Sequence, residues 1–597
     1  MSLLTPWGED FDRQHPLPEY PRPQLARDSY LNLNGPWEHA IVPAPGAGFG
    51  EVPDDWDGEI VVPFSPESEL SGVGRQLRPE EVLWYRRDLT LPDGFVRDRV
   101  LLHVGAADQT CWVFVDGRLV GEHEGGYLPF TIDVTDALGG RSTAELTVAV
   151  RDVSDTSWHA RGKQKLDRGG IWYTAHSGIW QTVWVESVPE VHVGRLVLTP
   201  DLGGGAVEVT VDAPSGGAAP AEVDISADGV VVGHAIARPG EPVRVPLDVV
   251  REWSPEDPFL YDVRVRLGED VVTSYVGLRS FGVGPDAHGV PRLLLNGRPY
   301  FHAGVLDQGY WPDGLCTPPS DAAMVNDIQT MKDLGFTMLR KHIKVEPLRW
   351  YHHCDRLGIL VWQDMVNGGR TYNPAVVTVP AVAPVRLPDR WYRAFGRQDP
   401  DGRAAFRRET RETVELLRNV TSLAVWVPFN EGWGQFDARE VADEVAALDP
   451  TRTVDHASGW HDQGGGHLMS LHVYFRRFRM ARRRRRDPRA VVLSEYGGYN
   501  LRVDGHTFGA RDFGYKRFRS PADLARAFTR LHDEQIRPAV NQGLAATVYT
   551  QLSDVEDELN GLVTYDRRVE KIPADVVRAV NARLRSAGAV LPATPRQ

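Results

Sequence analysis

Cysteine is scarce. The chain has three in 597 residues, Cys111, Cys316 and Cys354, with no Cys-x-x-Cys spacing. That excludes a disulfide framework and offers no zinc-ligand pattern, as suits a reducing compartment. Long apolar runs are also missing: no stretch approaches the roughly 20 apolar residues of a membrane span. The first residues, Met1 to Asp10, contain neither a basic start nor an apolar signal core. These absences predict a cytoplasmic protein with no membrane partner. Positive charge is in deficit: 67 Lys and Arg stand against 81 Asp and Glu, a net charge of -14. An acidic surface repels polyanions, which argues against a nucleic-acid partner. One local exception, the Arg482–Arg486 run, reads in this acidic context as a solvated loop or a subunit contact, which leaves a homo-oligomer open.

What the chain has in quantity is length and pattern. With 597 residues, 42% of them hydrophobic and 25% charged, it is an ordinary globular composition spread over several cores. Residues 1–188 read as all-β, with runs at Leu83–Leu89, Arg99–Val104, Cys111–Val115 and Ala144–Val150. Asp116-Gly117 between two such runs is a strong hairpin signal. A two-sheet β-sandwich of jelly-roll type follows. Residues 189–284 alternate in period two at Val191–Leu198, Val207–Val211, Ala221–Ile225, Val243–Leu247 and Tyr261–Leu267, which predicts an immunoglobulin-like β-sandwich. From 285 to 597 the period changes, and short β-rich runs alternate with capped helical segments such as those opening at Ser320 and Ser520. About eight strands in this alternation predict a (β/α)8 TIM barrel.

Two barrel segments carry chemistry. Leu423-Ala-Val-Trp-Val-Pro-Phe-Asn-Glu-Gly-Trp-Gly-Gln435 is a buried strand that ends in Asn430-Glu431. Ala490-Val-Val-Leu-Ser-Glu495-Tyr-Gly-Gly-Tyr499 repeats the frame with Glu495. A carboxylate fixed where a buried strand stops is poorly explained by packing, because an unpaired buried Glu is costly. Two of them suggest an acid and a nucleophile or base working as a pair. Barrel chemistry gathers at C-terminal strand ends, where Asp307, Arg340, His342, Asp364, His472, Tyr474 and Gln551 also stand.

These phrases resemble glycoside hydrolase family 2, which includes β-galactosidases, β-glucuronidases and β-mannosidases. The resemblance also rests on Gly125-Gly-Tyr-Leu-Pro-Phe130, Ser177-Gly-Ile-Trp-Gln181, Trp253-Ser-Pro-Glu-Asp-Pro-Phe-Leu-Tyr261 and Leu294-Leu-Asn-Gly-Arg-Pro299. It implies jelly roll, immunoglobulin-like sandwich and barrel in that order, with Glu431 as acid/base and Glu495 as nucleophile of a retaining double displacement. It also implies that Asn430 holds the sugar 2-hydroxyl, and that Arg340 and Tyr474 keep Glu495 placed. Asp307, His342, Asp364, Trp433, His472 and Gln551 complete the expected substrate-binding set. The implied activity is that of an exo-acting, β-galactosidase-like enzyme on a glycoside substrate. Other β-glycosides (galactofuranosides, mannosides, glucuronides) and a non-catalytic carbohydrate-binding protein are the alternatives.

Three departures qualify the resemblance. Tyr549-Thr-Gln551 stands where relatives carry a Trp sugar platform, leaving Trp311, Trp433 or Trp460 to supply one. Glu558-Leu-Asn-Gly561 replaces the Asn-x-Lys pair of glucuronidases, which disfavours glucuronides. Leu306–Asp313 replaces the His-Glu-x-His segment of β-galactosidases, so neither an essential metal nor a cofactor is expected.

Overall fold

The computed structural model describes residues 3–46, 48–214, 216, 219–383, 385–480 and 487–589. The Arg482–Arg486 run, read above as a solvated loop or subunit contact, lies outside the described residues. The first part of the chain is a sandwich of a six-stranded and a four-stranded antiparallel sheet within residues 31–188. Its core closes over Trp37, Leu83, Tyr85, Val113 and Val185. The hairpin at Asp116-Gly117 forms as expected: φ is +47° and +74° at the two positions, the double positive-φ turn that matches strand twist.

The second part packs a three-stranded sheet on a four-stranded one within residues 195–276. Along Tyr261–Leu267 burial alternates strictly, which is what a half-buried strand requires. A buried ion cluster clamps the two sandwiches together. The Arg27 guanidinium donates to Asp270 Oδ1 at 3.0 Å and Oδ2 at 2.9 Å, and to Glu186 Oε2 at 2.9 Å. The boundary expected at 284 falls inside the strand Phe281–Pro285. That strand pairs with Pro291–Leu295.

The third part is the barrel. Its strands are β1 (His302–Asp307), β2 (Met338–Lys341), β3 (Leu360–Asp364), β4 (Leu423–Val427), β5 (Thr453–Val454), β6 (Leu468–Val473), β7 (Ala490–Gly497) and β8 (Leu544–Thr550). They pair in parallel around a ring that is closed except between β5 and β6. Helices follow the strands: α1 (Asp321–Asp333), α2 (Leu348–Leu357), α3 (Pro400–Leu417), α4 (Ala438–Leu448), α5 (Pro521–Leu531) and α6 (Ala574–Gly588). The caps read from sequence are formed. Ser320 Oγ accepts from Ala323 N at 3.1 Å, and Gly358 ends α2 with φ of +73°.

Alternation divides the strands into two layers. Ala303, Val305, Leu339, Val361 and Leu493 pack outward on the helices. Leu306, Met338, Trp362, Val425, Val427 and Val548 fill the interior, with Leu293 packed among them. The mouth at the C-terminal strand ends is covered on one side by a loop of the first sandwich. There Arg161 N and Gly162 N donate to Asn367 O, and Thr174 N donates to Glu556.

Candidate active site

Backbone geometry aims Glu431 before any side chain acts. Beyond β4 the chain keeps pairing with the segment after β5. Ser458 N donates to Phe429 O at 2.8 Å, and Glu431 N donates to Ser458 O at 3.0 Å. Glu431 itself sits at φ of +51°, a left-handed conformation that costs a non-glycine residue on the order of 1 kcal/mol or more and clusters at functional sites. Glu495 is carried by β7. A register shift between Leu471 and His472 brings His472 opposite Glu495 across the β6–β7 pair. Such bulges re-aim side chains without breaking the sheet. Gly459 lets the neighbouring backbone approach: a Cβ there would lie 2.5 Å from the His472 ring.

The two carboxylates meet. One oxygen of Glu431, one of Glu495 and a His472 ring nitrogen all lie within 4.8 Å of one another. His472 Nδ1 is 2.8 Å from Glu431 Oε1 and 3.6 Å from Glu495 Oε2, while its Nε2 is 3.1 Å from Ser458 Oγ. The site makes the two acids unequal. Burial, together with the Glu495 charge, raises the Glu431 pKa above the ordinary range, and the His472 hydrogen bond opposes that rise. Burial would raise Glu495 too, but His472, Arg340, His342 and a Tyr474 hydrogen bond outweigh it and hold this carboxyl below its ordinary value.

Arg340 is the hub. It is fully buried, and its donors fan across four residues. Nε and Nη2 hold Asp364 Oδ1 and Oδ2 at 2.9 and 3.0 Å, and Nη2 also reaches Asn430 Oδ1 at 2.8 Å. Nη1 donates to Ser494 O and Glu495 Oε1, both at 3.0 Å. The fork leaves Asn430 Nδ2 as a buried donor with no partner among the described residues. Tyr474 Oη donates to Glu495 Oε2 at 2.5 Å and stacks on Tyr515 with ring centroids 4.0 Å apart.

The other expected site residues divide. His342 Nδ1 lies 2.8 Å from Asp364 Oδ2, and its ring meets Trp433 edge-on at 6.0 Å, so both flank the pair. Asp364 holds Arg340 and His342 in place. Its Oδ1 accepts from Arg340 Nε, and its Oδ2 is shared by Arg340 Nη2 and His342 Nδ1.

Two expectations need correcting. Asp307 lies on the outward face of β1 shared with Ala303 and Val305. Its Oδ2 pairs with Lys341 Nζ at 2.6 Å and its Oδ1 accepts from Gly309 N. Gln551 is also enclosed: Oε1 accepts from Gln308 Nε2 and Nε2 donates to Asn560 Oδ1, each at 2.7 Å. Of the three proposed platforms, Trp433 and Trp460 stand beside His342 and His472. Trp311 instead packs on Trp7 beneath Arg567.

Some neighbours were not read from sequence. Ser458 and Tyr515 come from loops, and Lys163, Trp172 and Tyr173 come from the first sandwich. Trp172 lies 5.3 Å from Trp433 centroid to centroid, and Lys163 Nζ lies 5.7 Å from the Trp433 ring. Glu558 is buried nearby, with Oε2 accepting from Tyr173 Oη and Oε1 accepting from Asn560 Nδ2 at 2.9 Å. No local pattern marks such long-range neighbours. Among the described residues, Glu431, His472 and Glu495 are also the one group of three whose ligand atoms are close enough for a metal ion. Their oxygens are already engaged by His472, Arg340 and Tyr474.

Comparison with known proteins gives the family. The model for "Glycosyl hydrolases family 2, TIM barrel domain" matches residues 292–569, and that for "Glycosyl hydrolases family 2" matches 191–279. A β-galactosidase of Streptococcus thermophilus is 26% identical over 67% of this chain and 37% of its own length. A β-glucuronidase of Rattus norvegicus is 24% identical over 63% of this chain and 59% of its own. Neither match reaches two thirds of the relative. Among solved structures, a β-D-glucuronidase of Dictyoglomus thermophilum superposes with a TM-score of 0.72 at 17% identity, covering 95% of this chain and 98% of that one. A family 2 β-galacturonidase of Eisenbergiella tayi gives 0.68 at 19%, covering 94% and 98%. Among the described residues no helix is long and apolar enough to cross a membrane. By its two family matches, which together take in more than half of its length, the chain belongs to glycoside hydrolase family 2.

Proposed function

We propose that the chain is an exo-acting retaining β-glycosidase that removes a terminal, neutral, β-linked sugar, with β-galactosides as the first substrates to test. The carrying observation is the Glu431–Glu495 pair: oxygens within 4.8 Å, with pKa values pushed in opposite directions. Retaining pairs stand about 5–5.5 Å apart and inverting pairs about 6.5–9.5 Å, because inversion needs room for a water. Glu495, ionised and held by Arg340 and Tyr474, attacks the anomeric carbon. Glu431 protonates the leaving oxygen and then takes a proton from the incoming water. The unpartnered Asn430 Nδ2 is free for the sugar 2-hydroxyl, a contact that strengthens in the oxocarbenium-like transition state. The first-sandwich loop walls one side of the mouth, which supports a pocket and end-on cleavage. An acid and a nucleophile so differentiated speak against a merely carbohydrate-binding protein.

The relatives divide between β-galactosidases and β-glucuronidases, so uronides are the second reading. Glu558 weighs against it. A uronate about 5 Å from this buried carboxylate would meet about 3 kcal/mol of repulsion at an effective dielectric constant of about 20, which the Lys163 ammonium 4.0 Å from Glu558 offsets in part. The test is a panel of aryl β-glycosides with NMR of the first-formed product. Turnover of a neutral glycoside to the β-anomer is expected. An inverted product, or activity that survives both Glu431→Gln and Glu495→Gln, would overturn the assignment.

A further inference from the structure

Four lysines are buried among the described residues: Lys163, Lys341, Lys344 and Lys571. Three have acceptors at hydrogen-bond distance. Lys341 Nζ donates to Asp307 at 2.6 Å and Glu346 at 2.7 Å. Lys344 Nζ donates to Gly309 O and Cys316 O at 2.7 and 2.8 Å, and Lys571 Nζ to Asp554 and Leu559 O at 2.6 and 3.0 Å. Lys163 differs. It is 6% exposed, and its nearest acidic oxygen, Glu558 Oε2, is 4.0 Å away. No hydrogen bond takes its Nζ among the described residues. What surrounds it is aromatic, with the rings of Tyr173 at 5.3 Å and Trp433 at 5.7 Å.

An ammonium carries three donors, and the Lys163 Nζ, which is not among the enclosed partnerless atoms, keeps an opening through which a bound group can supply the oxygens. The loop is built to hold this side chain in place. Gln164, the next residue, donates to Asp108 Oδ2 and Tyr127 Oη, each at 2.8 Å, and Tyr173 N donates to Lys163 O at 2.9 Å. Trp433, whose ring it faces, is two residues from Glu431. The 4.0 Å gap between Nζ and Glu558 Oε2 exceeds a direct hydrogen bond but suits a bridging group that accepts on one side and donates on the other. A hydroxyl does both, and a carboxylate does not.

We propose that Lys163 and Glu558 together read one hydroxyl of a neutral glycone, with Lys163 donating to its oxygen and Glu558 accepting its proton, so that a first-sandwich residue determines specificity at a barrel active site. The inference rests on the glycosidase reading above. The contact selects a hydroxyl because a hydroxyl accepts from Lys163 and donates to Glu558, whereas an ionised uronate has no proton to give Glu558.

The experiment measures kcat and KM for the full chain, for Lys163→Met and for Glu558→Gln. The substrates are aryl β-galactoside, its monodeoxy analogues and the matching aryl uronide, with thermal melts to confirm folding. Lys163→Met is expected to raise KM for the neutral glycoside about 10-fold with a smaller change in kcat. One monodeoxy analogue should lose no further affinity in that variant, since the two deletions remove the same contact. Glu558→Gln should raise the uronide-to-neutral ratio of kcat/KM at least about 10-fold. Folded Lys163→Met with wild-type KM and selectivity overturns this inference while wild-type turnover leaves the glycosidase reading standing. Wild-type protein that hydrolyses no member of the panel overturns both.

Discussion

His472 is placed to tune both carboxylates at once, and replacing it gives a prediction with a definite sign. Its Nδ1 lies 2.8 Å from Glu431 Oε1 and 3.6 Å from Glu495 Oε2. In both acids the imidazole favours the ionised form. In His472→Leu that support is gone, so both pKa values rise. Ser458 Oγ keeps Ser494 Oγ as a partner at 2.9 Å, which limits collateral damage. A hydrogen bond to a charged group contributes about 1.5–3 kcal/mol. At about 1.36 kcal/mol per unit, that corresponds to about one to two pH units. The profile of kcat/KM against pH reports the free enzyme. In the proposed mechanism its acid limb requires Glu495 ionised and its basic limb requires Glu431 protonated. Both limbs should therefore move to higher pH, the bell sliding as a whole, since the limbs are properties of the coupled pair. An aryl glycoside with a poor leaving group makes the basic limb visible. Limbs that stay in place, or a basic limb that moves to lower pH, would refute the reasoning.

Other perturbations separate the roles. Arg340→Met strands Asp364 and Glu495 without their buried partner. It should cost about 3–5 kcal/mol in urea denaturation and reduce kcat by at least about 100-fold. Tyr474→Phe removes one donor from Glu495 only, so the acid limb should rise by about one unit while the basic limb holds. Arg27→Ala, far from the mouth, should lower unfolding free energy by about 3–5 kcal/mol by taking from buried Asp270 its cation, while Glu186 keeps Arg22 at 3.0 Å, with kcat of the folded enzyme unchanged.

Much of the fold was readable because local signals and tertiary structure agree. Most strand runs, the cap at Ser320, the stop at Gly358 and the Asp116-Gly117 turn depend on neighbours a few residues away and are found where the pattern puts them, whereas the run expected at Val191–Leu198 forms as Arg195–Asp201. Glu431, just past the end of β4, and Glu495, near the end of β7, lie close to the strand ends where the local pattern puts them. Asp307 misled because position at a strand end was read without parity. Residue 307 shares the face of 303 and 305, which look at the helices. Gln551 misled because its partners, Gln308 and Asn560, lie in other loops. His472 was read as a sugar contact, yet its nearest polar neighbours are Glu431 and Ser458; the bulge that aims it leaves no mark in the sequence. Lys163 was invisible for a stronger reason. Its surroundings are assembled from the first sandwich, the β4 loop and the segment after β8, and only the folded chain brings them together.

The most direct measurement is of the covalent intermediate. An activated 2-deoxy-2-fluoro β-glycoside slows breakdown of a glycosyl-enzyme more than it prevents formation, so the adduct accumulates and survives proteolysis for mass spectrometry. The account predicts one sugar per chain, carried by the peptide containing Glu495, with loss of activity in step with labelling. A label on the Glu431 peptide, or steady turnover with no adduct on either glutamate, would contradict it.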